Sequence, residues 1–185
     1  MIFFILVTFF LILCWFNKAP FIANPLANYY FKRVQFPQTE SEHKDAVQLL
    51  TKVINLHPAD PILLRMSYYS RSVSYFELKK YDLAFTDVSK GLELFPDYSP
   101  AHRLKANIYL ALHQYQESLA EYTQAIQLDE NEPEFYYDRS KLYYLHLKDL
   151  TKALQDINKA LQINPVYPPH HDLAAEIYLA LENFE

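Results

Sequence analysis

Two segments of the chain are near copies of each other: residues 102–112 read HRLKANIYLAL, and residues 171–181 read HDLAAEIYLAL. Eight of the eleven positions are identical, at an offset of 69 residues. Because 69 is the sum of 34 and 35, the offset indicates a structural unit of about 34 residues that recurs along the chain. We therefore expect an array of repeats in which each unit packs mainly on its neighbours.

Each unit contains two amphipathic segments separated by a short break. Their apolar residues recur at i, i+3, i+4 and i+7, a spacing that places them on one face of a helix. Pro96 and Pro165 follow the second segment of their units, and Pro133 suits the first position of a helix, where its missing N–H costs nothing. No strand pattern competes, so the sequence predicts an all-α solenoid of helix pairs.

The order of large and small residues resembles the tetratricopeptide repeat (TPR) family. That motif has a large residue at repeat position 4, a small one at 8, an aromatic at 11, alanine at 20, a large apolar residue at 24, alanine at 27 and proline at 32. Three units match it, with one inserted residue in the third and Glu130 in place of the second proline. The matching residues are Tyr68, Ser72, Tyr75, Ala84, Val88, Gly91 and Pro96; then His102, Ala106, Tyr109, Ser118, Tyr122 and Ala125; then Tyr136, Ser140, Tyr143, Ala153, Ile157, Ala160 and Pro165.

The resemblance implies a TPR solenoid over residues 39–185, with about three full repeats and a partial repeat at each end. Its expected parts are a degenerate repeat helix at 39–58, full repeats at 61–98, 99–132 and 133–167, and a C-terminal capping helix at 168–185. Four extra residues after Pro58 predict one added turn at the start of the helix that begins near Pro61.

The N-terminal segment has a different character. Residues 1–16 read MIFFILVTFFLILCWF, in which Thr8 is the only polar side chain. As a helix this run spans about 24 Å, slightly less than the ~30 Å hydrocarbon core of a bilayer. No basic residue precedes the run, and no small-x-small cleavage site follows it. We therefore expect residues 1–17 to form an uncleaved, single-pass signal-anchor helix.

Two other outcomes are open for this segment. It could be a cleaved signal peptide, or a lipoprotein signal that is acylated at Cys14. Leu11, Ile12 and Leu13 before Cys14 resemble a lipobox, although Leu13 stands where a small residue is expected. An unmodified Cys14 would be a buried apolar side chain of the anchor helix.

The basic residues that flank the hydrophobic run predict its orientation. Lys18, Lys32 and Arg33 all lie C-terminal to the run, so the positive-inside rule places the TPR domain in the cytoplasm. Residues 18–38 are expected to be a juxtamembrane linker with one short helix between its prolines. The alternative orientation places the domain on the far side of the membrane, as a periplasmic or exported protein.

The composition excludes several classes of protein. The formal net charge of -5 argues against a nucleic-acid binder. The single glycine, Gly91, excludes glycine-rich phosphate loops and dinucleotide fingerprints, and the single cysteine, Cys14, excludes an internal disulfide and a cysteine zinc cluster. We expect no cofactor and no small-molecule substrate.

The histidines do not suggest a metal site. His170 and His171 are adjacent, so on a helix they point about 100° apart and cannot chelate one ion. His102 and His171 both occupy repeat position 4, where the motif requires bulk for packing. No nucleophile lies at a spacing that would place it beside a base, so we expect a protein that is not an enzyme.

A ladder of opposite charges repeats with the helices. Repeat position 7 holds Arg71, Lys105 and Arg139, and position 23 holds Asp87, Glu121 and Asp156. These two positions face each other across an antiparallel helix pair, so we expect a structural ion pair within each full repeat. The alternative is a basic stripe that binds a ligand.

The resemblance also implies where a partner would bind, because TPR arrays commonly use a concave groove lined by the first helix of each repeat. The corresponding residues here are Tyr69, Val73, Phe76, Arg103, Asn107, Leu110, Tyr137, Lys141 and Tyr144, with Met66 beside them. This aromatic groove with two central cations would suit a protein segment that carries apolar and acidic residues.

Some members of the family hold the C-terminal carboxylate of chaperones in this groove. Arg103 and Asn107 match the first two positions of that clamp, whereas Asp138, Pro169 and Leu173 fail the others. The sequence therefore predicts a non-catalytic, membrane-anchored TPR adaptor with a protein or peptide partner other than a chaperone tail. The alternative is an exported or lipid-anchored TPR factor for envelope protein assembly.

Overall fold

The structure, a computed structural model, describes residues 25–34 and 37–182. Over these residues the chain forms nine α-helices and no strand, so the expectation of an all-α helix-pair solenoid is confirmed. The helices are α1 (Pro25–Arg33), α2 (Glu40–Asn55), α3 (Pro61–Glu77), α4 (Tyr81–Leu94), α5 (Ser99–Ala111), α6 (Tyr115–Leu128), α7 (Pro133–Leu142), α8 (Leu150–Ile163) and α9 (Pro168–Glu182).

Each helix packs on the helices next to it in the chain, and α3 also contacts α5 directly. Small residues at the helix crossings allow this close approach. At repeat position 8, Ser72, Ala106 and Ser140 have 0% exposure, and the facing position 20 residues Ala84 and Ser118 also have 0%. The first helices α3, α5 and α7 therefore alternate with the second helices α4, α6 and α8 along the solenoid.

Side chains and prolines fix where the helices begin. Thr39 caps α2 in a capping box, because its hydroxyl accepts from the Glu42 amide at 3.3 Å while the Glu42 carboxylate accepts from the Thr39 amide at 2.9 Å. Asp60 caps α3 by accepting from the Ile62 amide at 2.9 Å, and Pro61 takes the first helical position. The added turn expected there is present, since α3 has 17 residues and α5 has 13.

The turns within each repeat form without glycine. Lys79, His113 and Lys148 adopt positive φ values of 56°, 60° and 56° at the end of the first helix. In the first two turns the next amide reaches back five residues: Lys80 donates to the Tyr75 carbonyl at 2.8 Å, and Gln114 donates to Tyr109 at 2.9 Å. These bonds satisfy carbonyls that the helix end leaves without partners.

The inserted residue of the third repeat is accommodated in a π-helical turn at Tyr143–Leu147, which continues α7. The amide of Asp149 consequently reaches back six residues, to the Tyr143 carbonyl at 3.1 Å. Because the extra residue is absorbed in this wide turn, α8 still packs on α7 with its small residues Ala153 and Ala160 fully buried.

The segment expected to be a juxtamembrane linker, residues 18–38, is partly incorporated in the array. Its residues 25–33 form α1, which packs on α2 through a cluster of Ala27, Val53 and Leu63. The helix is amphipathic enough to supply the missing first helix of the degenerate repeat, which is why it does not act as a free tether.

The predicted membrane anchor at residues 1–17 lies outside the described residues. Among the helices that the structure does describe, none combines the length and apolar character needed to cross a membrane.

Candidate functional site

The first helices α3, α5 and α7 lie side by side and line one face of the solenoid, which we call the first-helix face. Besides the contact between α3 and α5, an ion pair from Arg103 to Asp138 joins α5 to α7. Eight of the nine candidate groove residues lie on these three helices, and Tyr144 lies in the π-helical turn that continues α7. The structure thus brings three consecutive repeats together on one surface.

The α3 part of this face is aromatic and apolar. Tyr69 packs edge-to-face on Tyr98, with ring centroids 5.2 Å apart, and Phe76 lies against Tyr81 at 5.7 Å. Val73 is half-buried against the same cluster, whereas Met66 keeps 40% of its surface exposed. Burial and the neighbouring Tyr98 raise the pKa of Tyr69, so its hydroxyl stays neutral and can donate a hydrogen bond to a ligand.

The centre of the face differs from the expected cationic groove. The Arg103 Nε atom donates to the Asp138 carboxylate at 2.6 Å. Burial alone would lower the pKa of Arg103, but Asp138 and Glu134 outweigh it and the pKa is raised. Because Arg103 remains charged and is already paired, the centre of the face presents little free positive charge to an acidic ligand. The sequence pattern missed this pair because it joins two different repeats.

The remaining α5 residues support packing within the array. The Tyr122 hydroxyl donates to the Asn107 side-chain oxygen, and Leu110 packs against a cluster of Ala106, Tyr122 and Leu142. Burial raises the pKa of Tyr122 strongly, which keeps it a neutral donor. Asn107 is therefore bound by its own repeat, and the two apparent matches to a carboxylate clamp, Arg103 and Asn107, both serve internal contacts.

The α7 part of the face combines aromatic rings with nearby carboxylates. The Lys141 ammonium lies 5.5 Å from the centroid of the Tyr137 ring, and Tyr144 is half-buried one turn further along. Burial, together with the carboxylates of Asp138, Glu134 and Glu176, raises the pKa of Tyr137. The potential at this end of the face is therefore more negative than the cation Lys141 alone suggests.

The three ion pairs of the charge ladder are present in the structure. Arg71 forms two hydrogen bonds with Asp87, at 2.6 and 2.8 Å, and Arg139 forms two with Asp156, at 2.7 and 2.8 Å. The Lys105 ammonium lies 2.6 Å from Glu121. The acids are largely buried, so these cations do not form a ligand-binding stripe but hold the two helices of each repeat together.

The sequence did not predict two hydroxyl groups that accept hydrogen bonds from arginines of the ladder. Arg71 also donates to Thr51 at 2.9 Å, and Arg139 donates to Thr123 at 3.1 Å. Both threonines occupy repeat position 25 of the preceding unit. A hydroxyl residue that recurs at this position is the sequence feature from which these contacts could have been predicted. Each of these arginines consequently bridges its own repeat to the one before.

His102 has a polar role as well as the packing role expected at position 4. Its Nδ1 atom lies 2.7 Å from the Glu121 carboxylate, and its Nε2 atom lies 2.8 Å from the Pro96 carbonyl. Both partners only accept, so the protonated ring satisfies both contacts. The hydrogen bond to Glu121 raises the pKa of His102 accordingly.

The described residues contain no group of three or more histidine, cysteine, aspartate or glutamate side chains placed to hold a metal ion. A cleft of about 410 Å³ lies between α1 and α2, away from the first-helix face. It is lined by side chains of both charges, among them Arg33, Glu42, Asp45 and Lys52. Nothing in this lining resembles a nucleophile beside a base.

Family models match the central repeats of the chain. Residues 106–146 match a model described as "TPR repeat", and residues 133–167 match one described as "Tetratricopeptide repeat". The two matches overlap at residues 133–146, which contain α7 and most of the π-helical turn.

Curated relatives include much longer proteins. The chain is 33% identical over 102 residues to the DnaJ homolog subfamily C member 3 homolog of Dictyostelium discoideum, covering 52% of this chain and 20% of that protein. It is 29% identical over 133 residues to Hsp70-Hsp90 organizing protein 2 of Arabidopsis thaliana, covering 72% of this chain and 19% of that protein. The chain thus spans about a fifth of the length of these relatives.

Solved structures share the fold. MamA 41-end from Desulfovibrio magneticus RS-1 superimposes with a TM-score of 0.70 at 20% identity, covering 84% of this chain and 85% of that one. The first TPR of Spaghetti (RPAP3), solved with the HSP90 peptide SRMEEVD, gives a TM-score of 0.61 at 21% identity and covers 64% of this chain and 93% of that one. The second TPR domain of human RPAP3, solved with the HSP70 peptide SGPTIEEVD, gives 0.59 at 24% identity, covering 64% and 98%.

The family models identify the central repeats, and the structural similarity extends the same architecture to the flanking helices. Residues 106–167 thus match tetratricopeptide repeat models, and the helices of the described residues form an all-α solenoid with the fold of solved TPR structures.

Proposed function

We propose that this chain is a non-catalytic TPR adaptor that binds a segment of a partner protein along its first-helix face. The observation that carries the proposal is the row of incompletely buried apolar and aromatic side chains that three consecutive first helices direct to one surface. Its members are Met66, Tyr69, Val73 and Phe76 of α3, Leu110 of α5, Tyr137 of α7 and Tyr144 of the π-helical turn that continues α7. Rigid rings of this kind give large contact areas at low entropic cost, and TPR domains of similar fold have been solved with peptides bound.

The structure changes the ligand chemistry that the sequence suggested. The charge of Arg103 is balanced by Asp138. At the α7 end, the carboxylates of Glu134 and Glu176 outnumber the cation Lys141 beside Tyr137, so an acidic segment would be repelled there. The EEVD-ending peptides of the RPAP3 structures are therefore poor candidates for this chain. An apolar or aromatic segment with basic residues at the α7 end fits the charges better.

A membrane anchor at residues 1–17 belongs to the same proposal. It is supported by the composition of the run MIFFILVTFFLILCWF and by the basic residues Lys18, Lys32 and Arg33 that follow it, which favour a cytoplasmic TPR domain. Mass spectrometry of the mature N-terminus tests it: we expect an intact segment that starts at or beside Met1. A chain that begins at a lipid-modified Cys14 would instead support the lipid-anchored, exported alternative.

Two matched double variants test the adaptor function. Met66→Lys with Glu176→Lys places one lysine at the α3 end of the first-helix face and the other on the adjacent helix α9, near Tyr137; both native side chains are exposed. Leu83→Lys with Glu93→Lys makes the same chemical changes on the exposed side of α4, away from that face. We expect the first variant to lose the partners recovered from crosslinked membranes, and the second to keep them.

The circular dichroism spectrum and the melting temperature should stay near those of wild type for both variants, because all four positions are exposed and none belongs to the core. If the Met66/Glu176 variant retains the same partners as wild type, binding does not occur along the first-helix face. Arg103 is unsuitable for this test, since Arg103→Glu would break its ion pair with Asp138 and destabilise the contact between α5 and α7.

A further inference from the structure

Helix α9 is a sequence copy of α5, and the two helices differ in what covers them. Residues 171–181 repeat residues 102–112 with eight identities in eleven positions. We call the side of α9 that carries repeat positions 4, 8 and 11 the α9 outer face; it consists of His171, Ala175 and Tyr178. In each full repeat the second helix covers the corresponding positions of the first.

In α5 this face is sealed by α6. Ala106 has 0% exposure and packs in one cluster with Tyr122 of α6. His102 is held between the Glu121 carboxylate of α6 and the Pro96 carbonyl. The face therefore recognises its neighbour through a small residue that allows close approach and a histidine that bonds a carboxylate.

In α9 the same side chains are exposed. Tyr178 is 48% exposed, and His171 and Ala175 are exposed as well. The Nε2 atom of His171 lies 2.8 Å from the Pro165 carbonyl, as that of His102 does from Pro96, so the two rings are held by the same backbone contact. Within the described part of the chain, no carboxylate bonds the Nδ1 atom of His171 in the way that Glu121 bonds that of His102.

The α9 outer face keeps the residues that α5 uses for packing, because Ala175 and Tyr178 correspond to Ala106 and Tyr109. Its other side is buried conventionally: Leu173, Ala174 and Ile177 pack into the cluster with Ile157 and Ala160. The helix is thus anchored on one side and retains a helix-packing surface on the other.

We propose that the α9 outer face binds an amphipathic helix of a partner protein that has the residue pattern of α6. The helix would place a small residue over Ala175, an apolar residue beside Tyr178 and a carboxylate at the Nδ1 atom of His171. This surface is separate from the first-helix face and does not depend on the proposed groove function.

One substitution between the copies refines this partner. Position 9 is Asn107 in α5, where it accepts from the Tyr122 hydroxyl, and Glu176 in α9. A hydroxyl or basic group therefore suits the partner at that point. A second copy of the chain does not meet the description, since its own α6 is already engaged with α5 through Tyr122 and Glu121.

A peptide that spans residues 113–131, which contains α6, is the probe for this surface. Labelled and helix-stabilised, it is titrated with the full chain in detergent micelles, and binding is followed by fluorescence anisotropy. We expect saturable binding that falls by about tenfold or more with Ala175→Arg in the chain, because the arginine prevents close approach. The matched control, Asn158→Arg on the exposed side of α8, should bind like wild type.

The charge contact is tested by combining a peptide variant with a chain variant. Replacing Glu121 by Gln in the peptide should weaken binding several-fold to the wild-type chain, but not further to the His171→Ala chain. Equal binding by the wild-type and Ala175→Arg chains, or no binding at all, would overturn the proposal.

Two further measurements separate the other possible occupants. In a Cys14→Ser chain, a cysteine introduced by Ala175→Cys should react readily with a thiol reagent; slow reaction would mean that the face is already covered. Self-association that is lost in the Ala175→Arg chain would assign the face to a second copy and overturn the partner helix.

Discussion

Arg71 and Arg139 each join three helices through one side chain. Arg139 forms a two-bond pair with Asp156 in its own repeat and donates a third bond to Thr123 in the preceding repeat. Its side chain is 16% exposed and that of Asp156 is 10% exposed, so solvent screens the pair much less than a surface ion pair. Removing one partner leaves a buried charge without a counter-charge, which costs more than removing both.

A double-mutant cycle at Arg139 and Asp156 tests this role. Arg139→Ala and Asp156→Ala should each destabilise the array strongly, and the double variant should lose less than their sum, with a coupling energy of about 2 kcal/mol in chemical denaturation. The exposed pair Lys44–Glu40, with side chains 57% and 74% exposed, is the matched control and should show no measurable coupling. Strict additivity at Arg139 and Asp156 would contradict the structural assignment.

His102 links the stability of the second repeat to pH. Its folded-state pKa is raised chiefly by the hydrogen bond to Glu121, above the 6.5 of an unperturbed histidine. A raised folded-state pKa means that the contact stabilises the fold fully below about pH 6.5 and that this stabilisation is lost as pH rises through the higher value. Burial acts to raise the pKa of Glu121, but the hydrogen bonds and charges of His102 and Lys105 outweigh burial and lower the pKa. The carboxylate therefore stays charged to more acidic pH.

We expect His102→Gln to reduce the free energy of unfolding most near pH 6, by about 1 kcal/mol, and much less near pH 9. Urea denaturation across this pH range gives the free energy of unfolding of wild type and of the variant. The titration of other groups largely cancels in the difference between the two. His171→Gln is the control, because His171 makes the same contact with a proline carbonyl without a carboxylate partner. A His102→Gln effect that grew with rising pH would have the wrong sign for this pair.

At the scale of the helix, Gly91 is an anomaly in α4. It occupies repeat position 27, where the two following repeats have Ala125 and Ala160, each with 0% exposure. A Cβ atom at Gly91 would lie 3.7 Å from the Cβ of Tyr68, an ordinary van der Waals contact. The packing between α3 and α4 therefore has room for alanine at this position.

Gly91→Ala should raise the free energy of unfolding by about 1 kcal/mol, because alanine loses less backbone entropy in a helix and gains a packing contact. Ala125→Gly makes the reverse change at the equivalent position and should lower it by about 1 kcal/mol or more. Thermal and chemical denaturation measure both variants. A loss of stability in Gly91→Ala would mean that α3 and α4 approach more closely than the structure shows.

The sequence predicted the helical elements well wherever their signal was local. The added turn before Arg65 could be predicted because Pro58 matches position 32 of one repeat and Tyr68 matches position 4 of the next. Counting the residues between them gives the four that are extra. The extra residue of the third repeat could also be predicted by counting. The π-helical turn at Tyr143–Leu147 that accommodates it could not, because the form of this turn depends on how α7 and α8 pack. A short helix was expected between the prolines of residues 18–38, but the packing of α1 on the array was not. The short segment has no sequence signal that indicates the cluster it joins.

At the scale of the whole molecule, the positions of the groove residues followed from the repeat register, whereas their electrostatics did not. Periodicity within a repeat revealed the pairing of position 7 with position 23. The pair between Arg103 and Asp138 lies between repeats and has no equivalent elsewhere in the ladder, so no periodic signal marked it. Together with the carboxylates near Tyr137, this contact changes the ligand that we propose from an acidic segment to an apolar one with basic residues at the α7 end.

The central claim is that a partner segment lies along the first-helix face. Site-specific photo-crosslinking in intact cells tests it most directly, with a benzoylphenylalanine residue introduced at Met66, at Tyr144 or, as the control, at Leu83 on α4. We predict that Met66 and Tyr144 crosslink to one segment of the same partner, in a fixed direction along it, and that Leu83 does not. Crosslinks to that partner from Leu83 with equal yield, or from neither position on the first-helix face, would contradict the account.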